Sequence, residues 1–142
     1  MSWLSCLFKP KPWKPTEYGL SANILYQLHT DATDHVYIWD SQYWALSLAD
    51  WKKVLSSVRV DSPKYLAEKF DCEDFAFLTM TRVTERYEIN TCGVAVGMSP
   101  MGYHGFNTFV SYENGGFVRH LYEPQTGEID PFGYKLDTVI FG

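Results

Sequence analysis

Tyr103-His104-Gly105-Phe106-Asn107-Thr108-Phe109-Val110-Ser111-Tyr112, then Glu113-Asn114-Gly115-Gly116, then Phe117-Val118-Arg119-His120-Leu121-Tyr122-Glu123 is the stretch that decides the fold. Two runs rich in aromatic and β-branched residues flank an Asn-Gly pair, which reads as a β-hairpin with a tight turn. With the turn centred on Asn114-Gly115, residue i pairs with residue 229 − i. Side chains alternate across a strand and cross-strand partners share a face. His104, Glu123 and Gln125 therefore fall on one face at the open end of the hairpin. His120 and Asn107 have the other parity and face away from His104.

Outward from the hairpin, Thr91–Gly97 and Lys135–Phe141 read as further strands, and Val36-Tyr37-Ile38-Trp39 as a short one. The helical signals come earlier. Ser47-Leu48-Ala49-Asp50 opens a helix to about Ser57, with Leu48, Trp51, Leu55 and Val58 on one face. Ser62-Pro63 opens a short helix to about Lys69. Asp71 caps a run from Cys72 to about Tyr87, with Phe75, Ala76, Thr79 and Val83 on one side. Phe77, Leu78 and Met80 fill its other sides, so this helix is expected to be buried. Helices first and a mostly antiparallel sheet second make an α+β order.

Residues 9–15, Lys-Pro-Lys-Pro-Trp-Lys-Pro, exclude helix and central strand. Residues 1–16 read as an extended arm with an apolar tip (Trp3, Leu4, Leu7, Phe8), either packed on its own domain or offered to a docking partner. Residues 17–142 make a single domain. The 142-residue chain is 46% hydrophobic with ten Tyr, nine Phe and five Trp, which excludes general disorder. A net charge of −5, with the basic residues clustered only in the arm, excludes nonspecific nucleic-acid binding. No apolar run approaches the roughly 20 residues of a membrane span, and no signal peptide is recognised. Cys6, Cys72 and Cys92, at irregular spacing, match neither a disulfide framework nor a zinc site. A cytoplasmic or other reducing compartment is expected.

Cys72 stands one residue after the expected cap, where unpaired N–H groups favour a thiolate. Asp71, Glu73 and Asp74 oppose this by raising a thiol pKa. Together with His104 and Glu123 the parts of a thiol hydrolase are available: Cys72 as nucleophile, His104 as base and Glu123 as orienting acid. The Cys72 N–H would contribute to an oxyanion hole, with Gln125, Gln27 or Gln42 as the second donor. His29 and His35 lie in a polar segment and read as surface residues.

Phe70-Asp71-Cys72-Glu73-Asp74-Phe75-Ala76, His104-Gly105-Phe106-Asn107 and Glu123-Pro124-Gln125, continuing Thr126-Gly127-Glu128-Ile129, occur in that order. In these blocks the chain resembles the papain-like C-terminal domain of fungal agglutinins of the mushroom lectin type. Trp51, Leu55, Lys64 and Tyr65 resemble the family's approach to the first motif. The resemblance implies a papain-like cysteine peptidase, acting on a peptide or protein substrate through Cys72, His104 and Glu123. Gln125 and Asn107 are implied as oxyanion or supporting residues. Some members need calcium, which would neutralise Asp71, Glu73 and Asp74, although spacing assigns no ligands. No β-trefoil module precedes the domain, so the family's sugar binding is not carried over. Residues 1–45 have no counterpart. Two other expectations stand beside the peptidase: a non-catalytic binding or assembly protein on the same fold, docking through the arm, and an amide hydrolase or acyl transferase acting on cell-wall peptides.

Overall fold

The computed structural model describes residues 13–61 and 64–142. The strands and helices run in the order β1 (Tyr18–Ser21), α1 (Ala22–Thr30), β2 (His35–Ile38), β3 (Gln42–Ala45), α2 (Leu48–Ser57), α3 (Cys72–Tyr87), β4 (Cys92–Ser99), β5 (Gly102–Glu113), β6 (Gly116–Glu123), β7 (Glu128–Ile129) and β8 (Lys135–Phe141). Six strands form one sheet in the order β2-β8-β4-β5-β6-β7. It is antiparallel except that β2 runs parallel to β8. β1 and β3 pair separately as a two-stranded sheet.

The hairpin register is the expected one. Asn107 pairs with Tyr122 and Glu113 with Gly116. Asn114 and Gly115 take φ of 50° and 82°, the left-handed pair a two-residue turn demands. Alternation along β5 then splits the core. Phe109 faces a cluster with Trp51, Val54, Leu55 and Val83, supplied by α2 and α3. Phe106 and Val110 face the opposite cluster with Leu25, Tyr43, Val139 and Phe141. The sheet is therefore covered on both faces.

The helix bounds follow their caps. Ser47 Oγ accepts from Asp50 N–H at 3.1 Å. At α3 the Asp71 N–H donates to Asp74 Oδ2 at 3.2 Å. Phe75, Ala76, Thr79 and Val83 are the buried residues of α3, as expected.

Four expectations change. Phe77 is exposed, so α3 is apolar on one face against the sheet rather than buried all round. The short helix to Lys69 is absent over residues 64–69. Leu66 and Phe70 exchange backbone hydrogen bonds of 2.7 Å across a turn in which Glu68 has φ 62°. Ser62 and Pro63 lie outside the described residues, as do residues 1–12 of the arm. Strands β1 to β3 are interleaved with helices, so the order is not helices before sheet. Finally, His29 is fully buried on α1. It sits between Leu25 O and Thr108 Oγ1, each at 2.9 Å, with its ring edge-on to Phe141. His35 is exposed as expected. Trp13, the first described residue of the arm, packs on Tyr87 with the Lys53 ammonium over its ring.

Candidate functional site

The first turn of α3 rests on β5. A Cβ at Gly105 would lie 3.0 Å from the Glu73 Cα and N, so only glycine permits this approach without displacing backbone. Asn107, one turn of the pleat further, donates from Nδ2 to Ala76 O at 2.9 Å and to Gly93 O at 3.1 Å. It ties helix to sheet from behind the cleft, on the face away from His104 as its parity predicts, a supporting place and not an oxyanion one. Odd and even parity separate the two ends of the His104–Asn107 motif.

This docking sets Cys72 at the rim of a cleft of about 390 Å³, lined by Tyr65, Cys72, Met101, Tyr103, His104 and Gln125. His104 and Glu123 meet as expected, Nε2 to Oε2 at 2.5 Å. Glu123 also accepts from the Tyr134 hydroxyl at 2.8 Å and from the Gln125 N–H at 2.9 Å. Burial pushes the Glu123 carboxyl pKa up, but these donors outweigh it and hold the group below its ordinary range. An ionised Glu123 can only accept, so Nε2 of His104 carries the proton. The imidazole is fixed further by Phe106, stacked at 6.2 Å, and by Tyr134, edge-on at 5.9 Å.

The thiol has other partners. Cys72 Sγ donates to Glu73 Oε2 at 3.0 Å and accepts from the Gly105 N–H at 3.3 Å. Among the described residues no hydrogen bond joins it to His104. Burial, followed by the hydrogen bond to Glu73, raises its pKa above the ordinary 9.0. The shift is away from a thiolate. Asp71, Glu73 and Asp74 are occupied with Cys72, with the cap and with one another. Among the described residues no group of three His, Cys, Asp or Glu is arranged to hold a metal ion. Gln27 and Gln42 stand on α1 and β3 and do not line the cleft. Gln125 does.

Sequence reasoning missed the aromatic wall. Tyr65 and Tyr103 are more than half exposed, and Met101 more so. Tyr103 neighbours His104 in sequence, and its opposite parity hid its part in the cleft. Among the described residues no helix is long and apolar enough to cross a membrane.

No protein-family model and no curated protein matches the chain by sequence. Solved structures do. PSL1a, in its complex with E64, is 24% identical with a TM-score of 0.70, covering 87% of this chain and 51% of its own. Polyporus squamosus lectin, bound to the human-type influenza-binding epitope Neu5Acα2-6Galβ1-4GlcNAc, is 26% identical with a TM-score of 0.66, covering 87% of this chain and 49% of its own. The chain thus spans about half the length of these proteins. The likeness agrees with the resemblance to mushroom agglutinins. It goes to a lectin, and the expected cysteine peptidase and its peptide or protein substrate are not carried forward.

Proposed function

We propose that this chain is a non-catalytic binding domain, residues 17–142, in which a papain-like layout serves as a frame for holding a ligand. In that layout a helix with an N-terminal cysteine faces a histidine and a carboxylate carried by a sheet. The observation that carries the reading is the composition of the cleft: two exposed phenol rings and a methionine share its lining with Cys72, Gln125 and His104, the last held by Glu123. Flat aromatic faces with a few fixed polar groups are what a small-molecule site requires. Glu123 holds His104, which orients the ligand instead of moving protons during bond cleavage.

The ligand class is a short, uncharged oligosaccharide. Polyporus squamosus lectin binds a sialylated glycan, which supports a saccharide. The carboxylates of Asp71 and Glu73 beside Cys72 disfavour an acidic one here. The test is an amide-resolved NMR titration with Galβ1-4GlcNAc, with the sialylated trisaccharide and with a peptide of equal size. Saturable shifts at Tyr65, Tyr103 and Gln125 with the neutral sugar, weakened about tenfold in Tyr103→Ala, are expected. Shifts with the peptide alone, or none at the cleft, refute the saccharide reading.

A further inference from the structure

Beyond the turn that carries Gln125 lies a second cleft of about 390 Å³, lined by Lys52, Leu55, Ser56, Arg59, Tyr122 and Ile129. We propose that this cleft is an oxyanion site, taking a carboxylate or phosphate head on a compact apolar body. It is distinct from the Cys72 cleft and independent of the reading given to that cleft.

Its chemistry is one-sided. Lys52 and Arg59 supply positive charge, and Ser56 and Tyr122 supply hydroxyl donors. No carboxylate is among its lining residues. Leu55 and Ile129 form an apolar wall. One buried donor of its lining lacks a partner among the described residues. Arg59 Nε is buried and unpaired. Tyr122 is 2% exposed; burial raises its pKa, and Arg59 is the foremost nearby charge opposing that rise. A buried donor without an acceptor carries a desolvation penalty that a bound anion would remove.

The surroundings keep the charge in place. Arg59 follows the C-terminal end of α2, where free carbonyls would repel an anion. Those carbonyls are occupied: Arg82 Nη1 donates to Val58 O and Arg59 O, and Arg86 Nη1 to Ser57 O. Arg59 itself donates to Thr126 O at 3.0 Å and Gln125 O at 3.3 Å. Gly127, with φ 82°, lies directly under the guanidinium, and a Cβ there would come within 2.3 Å of Nη1. The guanidinium is therefore fixed before any ligand arrives, which lowers the entropy lost on binding. The carboxylates that act on Tyr122, Glu123 and Asp61, do so less strongly than Arg59.

The test is an amide-resolved NMR titration of the full chain with benzoate, with inorganic phosphate and with neutral benzamide as the control. Saturable shifts at Ser56, Gly127 and Ile129 with benzoate or phosphate, and none with benzamide, are expected. The anion that binds identifies the head group. Lys52→Met and Tyr122→Phe, neither of which removes apolar packing, each weaken binding about fivefold to tenfold. Equal shifts with benzamide, no shifts with either anion, or affinities unchanged in both variants overturn the proposal.

Discussion

His104 Nε2 and Glu123 Oε2 stand 2.5 Å apart, beyond the last paired rung of their own hairpin, Asn107 with Tyr122. Side chains alone span this gap, and Tyr134 and the Gln125 N–H complete the carboxylate's shell. The pair is therefore a clamp on the open end of the hairpin. Glu123→Gln keeps the size but loses the charge-assisted bonds. It is expected to lower unfolding free energy by about 1–3 kcal/mol at pH 7. Because the carboxyl pKa is held below its ordinary value, this stability is present above that value and is lost as pH falls through the folded one. Denaturant melts of wild type and variant at pH 7 and pH 3 check it: the difference should shrink at pH 3.

His29 gives a second acid-sensitive term. Burial lowers its pKa from 6.5 to about 4. A histidine buried neutral loses stability as pH falls below the unfolded value, and the loss is complete at the folded one. Between pH 6.5 and about 4 the wild type should lose roughly 3 kcal/mol from this residue. His29→Gln should flatten that limb of the stability profile, whatever it does to the absolute level.

Gly105 sets the distance between α3 and β5. Gly105→Ala forces backbone at Glu73 to move. A loss of about 1–3 kcal/mol is expected, with amide shifts concentrated at residues 71–76. Gly116→Ala, whose Cβ would meet only Glu113 O at 3.8 Å, is the control and should leave those shifts alone.

The parts of this fold legible in the sequence are those with strong local punctuation. Asn114-Gly115 fixed a register that placed His104 beside Glu123, and Asp71 and Ser47 marked two helix starts. What escaped had weak contrast. α1 is nine residues long and buries only Leu25 and His29, so one of its two core positions is a polar residue. β1 and β3 are four residues each and pair across the intervening α1 and β2, a contact no local pattern announces. Ser62-Pro63 carries a strong helix-start signal, but the chain from Leu66 to Phe70 closes on itself instead. At the cleft, parity brought His104 and Glu123 together and sent Asn107 to the helix. It could not reveal that the Cys72 thiol would donate a hydrogen bond to Glu73, because that choice depends on side-chain rotamers at the helix start.

The most direct test is the alkylation rate of Cys72 by iodoacetamide against pH, followed by intact mass, in wild type, Glu73→Gln and His104→Ala. A thiol held by Glu73 reacts more slowly than free cysteine at pH 7.5, speeds up in Glu73→Gln and ignores His104→Ala. Fast alkylation at neutral pH that collapses in His104→Ala would mean a thiolate–imidazolium pair, and the cleft would then be built to cut and not to hold.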